Sequence, residues 1–153
     1  MTDVHDVARR ALDADGQLYT RGRRAVIDTL ARLSAPATIP TILDAEPSLK
    51  QSSLYRNLAV LQNAGVVTRV DVGDDRAFFE LSELVTDDHH HHLVCARCRS
   101  VVDVVLPRAA ERALDRAFHD VAAAAGYDLT DHRVDLVGIC AACRAGSKAQ
   151  PTR

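Results

Sequence analysis

Four cysteines, arranged as two widely separated Cys-x-x-Cys pairs, constrain the fold of this chain more than any other feature. Cys95 and Cys98 form the first pair, and Cys140 and Cys143 form the second. Thiolates are soft ligands, and a two-residue spacer lets both sulfur atoms of a pair face one ion. The sequence therefore predicts a closed, tetrahedral Zn²⁺ site that joins two remote segments. Disulfides or unrelated thiols are the alternative.

Length and composition favour one ordinary domain or two small ones in a cytoplasmic protein. Of the 153 residues, 47 % are hydrophobic and 26 % are charged, which is a typical globular mixture. No run of about 18 apolar residues is present, so no membrane-spanning helix is predicted. The N-terminus lacks the pattern of a secretion signal. The net charge of −2 neither favours nor excludes nucleic acid, so a DNA partner requires a local basic patch.

Helical patterns dominate the first half of the chain, which ends in a two-stranded ribbon. Three segments have helical periodicity: residues 24–33, 39–45 and 52–64. Two segments alternate as strands around a Gly-Asp-Asp turn: residues 66–72 and 77–81. A serine is expected to cap the third helix, and Gly65 to end it. This layout predicts a winged helix-turn-helix domain over residues 1–82, whose third helix enters the DNA major groove.

Polar and basic side chains crowd the start of that third helix, where side chains reach base edges and helix amides face phosphate. These candidates for DNA contact are Ser52, Ser53, Tyr55, Arg56 and Asn57. Arg23, at the start of the preceding helix, is a candidate for phosphate contact. Solvated surface is the alternative for each basic residue, because most Arg and Lys side chains lie there.

The second half predicts a small α/β domain over residues 83–145, followed by a disordered tail over residues 146–153. Its strands are expected at three places: residues 93–94, 101–106 and 134–139. Pro107 opens a long helix that Gly126 closes. A unit of this size has a poor core alone, so it is expected to need a metal and a partner subunit. The fold class predicted for the whole chain is α+β.

A run of four histidines, His89 to His92, precedes the first cysteine pair. In an extended strand, His90 and His92 face one side and His89 and His91 the other, each pair about 7 Å apart. Imidazole binds Zn²⁺, Fe²⁺, Ni²⁺ or Mn²⁺ in company with carboxylates. Nearby carboxylates are Glu80, Glu83, Asp87, Asp88 and Asp103. One strand is thus expected to serve two metal sites, and a solvated histidine loop is the alternative.

Several of these segments together resemble the ferric uptake regulator family of metal-sensing repressors. In the family's order they are Thr20-Arg21-Gly22-Arg23, Ser53-Leu54-Tyr55-Arg56-Asn57-Leu58, Ala64-Gly65, residues 89–98, and Gly138-Ile139-Cys140-Ala141-Ala142-Cys143. The resemblance implies a winged-helix domain, an α/β dimerisation domain, and a homodimer that binds palindromic double-stranded DNA operators when loaded with metal.

The resemblance also implies ligands for three metal sites. The structural zinc ligands are Cys95, Cys98, Cys140 and Cys143. The sensing site at the hinge takes His90, His92 and Glu80, with Glu83 or Asp87 as alternatives to the last. A second site takes His89, His91 and His132, with Glu111 or Asp103 as its carboxylate. The second divalent metal, acting as co-repressor, is Fe²⁺, Zn²⁺, Mn²⁺ or Ni²⁺.

One departure from the family leaves a second interpretation open. Members often place a histidine between the second and third helices, where this chain has Ala35-Pro36-Ala37-Thr38. The alternative function is therefore a winged-helix regulator with only a structural zinc and no metal sensing. An enzyme is not expected, because four thiolates leave zinc no open position and no deaminase signature is present.

Overall fold

The computed structural model describes residues 3–72, 77–87 and 89–146. This part of the chain divides into two compact units, on either side of residue 88. The first unit contains α1 (Val4–Ala14), α2 (Arg21–Leu33), α3 (Ile39–Ala45), α4 (Gln51–Asn63), β1 (Val67–Asp71), β2 (Ala77–Leu81) and α5 (Glu83–Thr86). The second contains β3 (His91–Cys95), β4 (Val101–Val104), α6 (Arg108–Ala124), β5 (Asp135–Gly138) and α7 (Ala141–Arg144). Within these ranges no helix combines the length and apolar character needed to cross a membrane.

The core of the first unit forms where the apolar faces of its helices meet the ribbon. The buried side chains of α2 and α4 recur at helical spacing: Val26, Ile27 and Leu30, then Leu54, Leu58 and Leu61. β1 and β2 pair antiparallel, and Phe79 of β2 lies in the same core. Helices followed by a two-stranded ribbon confirm the predicted winged helix-turn-helix.

The two ends of α4 differ in how well they follow the sequence prediction. The helix begins after Lys50, whose side chain makes no capping bond. Ser53 instead donates its hydroxyl to the Lys50 carbonyl at 2.8 Å, so the expected serine cap is wrong. Gly65 has φ +71° just after the helix, as predicted for its stop. The predicted turn at residues 73–75 lies outside the described residues.

A three-stranded sheet organises the second unit. Its order is β4-β3-β5, with β3 antiparallel to β4 and parallel to β5. The parallel pairing requires a crossover, which α6 supplies. Pro107 caps the start of α6, and Gly126 follows its end with φ +79°. Helical N-terminal and mixed C-terminal units confirm the α+β class. Of the predicted tail, residues 147–153 lie outside the described residues.

Candidate metal centres and DNA-binding surface

The four cysteines converge in the second unit. Cys95 ends β3, Cys98 lies in the turn that follows, and Cys140 and Cys143 flank the start of α7. Their sulfur atoms all lie within 4.8 Å of one another, and those of Cys98 and Cys140 are 3.8 Å apart. Four sulfurs at about 2.3 Å from a tetrahedral Zn²⁺ are separated by about 3.8 Å. The donor set and its spacing therefore fit zinc, and we call it the thiolate site.

Hydrogen bonds prepare the thiolate site for a cation. The backbone N–H of Cys140 donates to the Sγ of Cys95 at 3.4 Å. This bond, followed by that from the N–H of Cys98, lowers the pKa of Cys95 to about 5. The Ser100 hydroxyl lies 3.2 Å from Cys98 Sγ, and hydrogen bonds from Ser100 lower the pKa of that thiol as well. Both groups are thus biased toward the thiolate that zinc requires.

Three imidazoles and one carboxylate form a second group, which we call the three-histidine site. Glu111 of α6 reaches all three rings. Its Oε1 lies 2.9 Å from His89 Nε2 and 3.1 Å from His132 Nε2, and its Oε2 lies 3.0 Å from His91 Nε2. The hydrogen bond with His91 is the main cause that lowers the pKa of Glu111. Three nitrogen donors and one carboxylate oxygen fit Zn²⁺ or a similar divalent transition metal.

A further group on the opposite face of β3 contains His90, His92 and Asp103, and we call it the β3 carboxylate site. One ligand atom from each residue lies within 4.8 Å of the others. His92 Nε2 is 3.8 Å from Asp103 Oδ1. Two imidazoles with carboxylate suit Fe²⁺, Mn²⁺, Zn²⁺ or Ni²⁺. The alternation of side chains along β3 thus separates the four histidines as the sequence predicts.

The structure distributes the candidate carboxylates between these groups. Of the two residues considered for the second site, Glu111 joins His89, His91 and His132. Asp103 is instead paired in register with His92, because β4 runs antiparallel to β3. Glu80 lies in the first unit on β2, where it is 8 % exposed. Glu83 and Asp87, the alternatives to Glu80, start and cap α5 in the same unit.

Sequence reasoning missed two carboxylates that contact the ligand histidines. Asp115 Oδ1 lies 3.4 Å from His132 Nδ1, and Asp135 Oδ1 lies 3.2 Å from His92 Nδ1. Both contact the ring nitrogen other than the one that faces the ligand group. A signal for Asp115 existed, because it follows Glu111 by one helical turn on α6. The pairing of Asp135 depends on strand register, which the sequence does not reveal.

The candidate DNA-contact residues fall into an exposed and a packed set. Ser52, Tyr55 and Arg56 on the first turns of α4 are exposed, with Tyr55 at 53 %. Asn57 packs against the start of α2, where a Cβ added at Gly22 would lie 3.0 Å from its Nδ2. Ser53 is half-buried at the helix start. The surface of α4 therefore offers a serine, a phenol and a guanidinium to a partner.

The Arg23 side chain forms hydrogen bonds within the first unit. Its guanidinium donates to the Leu18 carbonyl, and to Gln17 Oε1 at 3.2 Å. Both acceptors lie between α1 and α2, so the side chain fastens this connection to the first turn of α2. The packing favours a positioning role for Arg23 beside the predicted phosphate contact.

Comparison with known proteins gives a consistent result. A sequence model described as the Ferric uptake regulator family matches residues 15–137. The ferric uptake regulation protein of Legionella pneumophila is 30 % identical over 112 residues, which cover 73 % of this chain and 76 % of that protein. The peroxide operon regulator of Bacillus subtilis is 29 % identical over 140 residues, which cover 89 % and 90 %.

Solved structures agree with these sequence matches. The ferric uptake regulator of Vibrio cholerae superposes with a TM-score of 0.67 at 26 % identity, covering 86 % of this chain and 98 % of that one. The agreement extends across both units of the fold, since nearly the whole of that chain is matched.

Proposed function

The chain belongs to the ferric uptake regulator family, and on that premise we propose that it binds palindromic operators as a homodimer loaded with a divalent metal. As a member it is a metal-responsive, DNA-binding repressor of transcription, with structural Zn²⁺ and a second divalent metal as co-repressor. One observation carries the proposal. The single strand β3 serves two groups of metal-ligating side chains on opposite faces and ends at a cysteine of the thiolate site.

The two units take different parts in this function. The first, predicted to end at residue 82, binds DNA through α4, where Ser52, Tyr55 and Arg56 are exposed. The second, predicted over residues 83–145, dimerises and binds metal. The protein acts in the cytoplasm, where its operator DNA lies and where thiols stay reduced. It regulates rather than catalyses, because four thiolates complete the coordination of zinc and leave no position for substrate.

The thiolate site holds zinc for structure. Cys95, Cys98, Cys140 and Cys143 tie the end of β3 to the start of α7, across a gap of more than forty residues in the chain. The Arg97 guanidinium donates to the Cys143 carbonyl at 2.9 Å and further joins the two segments. A small unit with a thin core gains much of its folding free energy from such an ion.

The β3 carboxylate site is our candidate for sensing. His90, His92 and Asp103 supply its ligands, and the resemblance to the family implies Glu80 as a further ligand. Glu80 is a carboxylate at 8 % exposure, and a group so buried requires a cation or hydrogen-bond donors to offset its desolvation. A bound divalent cation supplies positive charge that these ligands share. Metal affinity must differ between the DNA-binding and the free arrangement, since equal affinity shifts no equilibrium.

The three-histidine site is proposed as the second metal site of the family. Glu111 completes it from the long helix, and Asp115 orients His132 from one turn further along. With three neutral nitrogen donors and one carboxylate, it suits a tetrahedral Zn²⁺. It joins α6 to β3, so its occupation stabilises the second unit.

Apolar surface on the second unit fits a second copy of the chain. β5 lies at one edge of the sheet and exposes Leu136 at 41 % and Val137 at 70 %. Val121 on α6 is 70 % exposed as well. An apolar edge strand is a template for pairing with another chain, and identical chains pair most often about a two-fold axis.

The decisive experiment is a DNA-binding titration with and without metal. A promoter fragment is titrated with purified protein in the presence of Zn²⁺, Fe²⁺, Mn²⁺ or Ni²⁺, and again under a chelator that leaves the structural zinc in place. We expect at least one metal to strengthen binding 10-fold or more. Equal affinity in all conditions would contradict metal sensing.

Substitutions then assign the response to residues. His90→Ala with His92→Ala should abolish the metal response and leave a folded dimer, whereas His119→Ala, an exposed histidine of α6, should change neither. Arg56→Ala should weaken binding to all DNA sequences if Arg56 contacts phosphate, or reduce specificity at one base position if it contacts a base. The zinc content should not change. Arg112→Ala on α6 removes the same charge and serves as its control.

A regulator with structural zinc alone is the second candidate. The segment between α2 and α3 favours it, because Ala37 pairs its backbone with Phe79 and Thr38 caps α3. That segment therefore presents no imidazole where family members often have one. This candidate predicts that operator affinity depends on the thiolate site but not on His90 or His92.

A further inference from the structure

Three side chains stand in one row across the sheet of the second unit. β3 pairs His92 with Asp103 of β4 on one side and with Asp135 of β5 on the other. The two nitrogens of the imidazole face these two carboxylates. His92 Nε2 lies 3.8 Å from Asp103 Oδ1, and His92 Nδ1 lies 3.2 Å from Asp135 Oδ1. The ring itself is 6 % exposed, so the sheet fixes its position.

We propose that Asp135 is a positioning residue that selects the metal-binding tautomer of His92. A carboxylate beside Nδ1 accepts a hydrogen bond from the ring N–H there, which keeps the proton on Nδ1 and leaves the lone pair on Nε2. Nε2 is the atom on the side of Asp103, where the β3 carboxylate site lies. Carboxylate contacts of this kind also raise the basicity of a ligating imidazole. The inference rests on the proposed function, because it takes His92 as a metal ligand.

The position of Asp135 argues against a purely structural role. Its side chain is 43 % exposed at the start of an edge strand, so neither burial nor sheet pairing demands a carboxylate there. Asp135 does not need to contact the ion, because its contact is with Nδ1, the ring nitrogen that faces away from the β3 carboxylate site.

The test is a thermodynamic cycle on metal affinity. Co²⁺ is titrated against a competing chelator into the zinc-loaded full-length dimer, with His132→Ala present throughout to silence the three-histidine site. Asp135→Asn is compared with Asp128→Asn, which removes the same charge from an exposed position of the same unit. We expect Asp135→Asn to weaken Co²⁺ binding about 10- to 100-fold, and Asp128→Asn to leave it within a factor of about three.

Repeating both substitutions with His92→Ala separates the possible roles. If Asp135 acts through His92, Asp135→Asn has no further effect once the ring is gone. An equal loss in both backgrounds would overturn the inference and make Asp135 a ligand or a general charge. If His92→Ala itself leaves Co²⁺ affinity unchanged, the proposed function fails and this inference falls with it. Asn retains an oxygen that can accept the Nδ1–H bond, so Asp135→Val is titrated as well. If His92→Ala weakens Co²⁺ binding but neither Asp135→Asn nor Asp135→Val does, the inference alone is wrong.

A spectroscopic measurement covers the case in which affinity changes for other reasons. Long-range nitrogen–proton spectra of the histidine rings distinguish the two neutral tautomers. We expect His92 to be protonated at Nδ1 in the parent protein and to lose that preference in Asp135→Val, which removes the acceptor. An unchanged tautomer in Asp135→Val would overturn the inference.

Discussion

At the scale of single residues, each candidate metal group is held by contacts that do not themselves bind an ion. The Cys140 N–H donates to Cys95 Sγ, Asp115 contacts His132, and Asp135 contacts His92. Such contacts fix the direction of a ligand before a metal arrives, and so reduce the ordering that binding must complete. The chemistry of these centres therefore extends beyond the residues whose spacing is visible in the sequence.

Loss of one cysteine tests the structural role of the thiolate site. Cys140→Ser should remove the zinc and destabilise the second unit, because an oxygen ligand replaces a thiolate and the remaining thiols lose their shared cation. Zinc contributes on the order of 10 kcal/mol to the folding of small peptides, so its loss should raise the rate of hydrogen exchange across the second unit. Metal analysis and hydrogen exchange of residues 91–104 measure both effects. Ser100→Ala, which removes only a neighbour of Cys98, should keep its zinc. Full zinc retention in Cys140→Ser would contradict the assignment.

The depressed thiol pKa values give a prediction on pH. The pKa of Cys95 is lowered from the ordinary 9.0 to about 5 by the N–H groups of Cys140 and Cys98. In zinc-free folded protein, ionisation of Cys95 therefore makes its full contribution to the free energy of unfolding above about pH 9. This contribution is lost as the pH falls through about 5. At pH 7 zinc binding should release fewer than four protons, since Cys95 is already ionised. Calorimetry in buffers of different ionisation enthalpy counts them, and a release of four would show ordinary thiols.

At the scale of secondary-structure elements, α4 departs from the rule that a helix begins with a capping side chain. Lys50 occupies the N-cap position with extended φ and ψ of −90° and 139°, which suit a capping residue, but its side chain makes no such bond. The N–H groups of Ser53 and Leu54 donate to the Lys50 carbonyl, whereas those of Gln51 and Ser52 face the start of the helix, where phosphate is a favoured acceptor. A basic residue at this position attracts the same partner.

Lys50→Ser should therefore stabilise the first unit and weaken its binding to DNA. The serine hydroxyl can accept a hydrogen bond from an N–H in the first turn, and we expect it to stabilise the first unit by about 0.5–1 kcal/mol. Operator affinity should fall at the same time, and its dependence on salt should become shallower by about one phosphate contact. Thermal unfolding and binding at several salt concentrations measure the two effects. Lys50→Ala, which removes the charge without adding a cap, is the matched control and should weaken DNA binding without the gain in stability.

The elements also show where sequence reasoning ends. The sequence predicts a helix at residues 39–45 because Pro36 and Pro47 bound the segment, and the structure has a helix with these limits. α2 begins at Arg21 rather than residue 24, since Thr20 caps a first turn that has no apolar residue to mark it. The thiolate site and the separation of the histidines follow from local spacing alone. Their carboxylates do not, because Glu111 depends on the rotation of α6, and Asp103 and Asp135 depend on strand register.

At the scale of the whole molecule, the second unit is notable for its large exposed apolar side chains. No residue of α6 is buried, and Tyr127, Val121 and Val137 are each 70 % exposed or more. Large exposed apolar side chains in one small unit are typical of an interface. In a repressor that reads two half-sites, such an interface also sets the distance between the two recognition helices.

Val137→Lys tests the proposed dimer at its edge strand. In a two-fold interface the substitution occurs twice, so it places two like charges near one axis and removes two apolar side chains. We expect the variant to be monomeric at concentrations where the parent is dimeric. Its affinity for the operator should fall at least 100-fold, because one subunit contacts only one half-site. Analytical ultracentrifugation and DNA titration measure the two effects. Val105→Lys alters a residue that is 80 % exposed outside the strands and should remain dimeric. If Val137→Lys is dimeric and retains its zinc, β5 is not part of the interface, and the exposed face of α6 is then the surface that joins the two subunits.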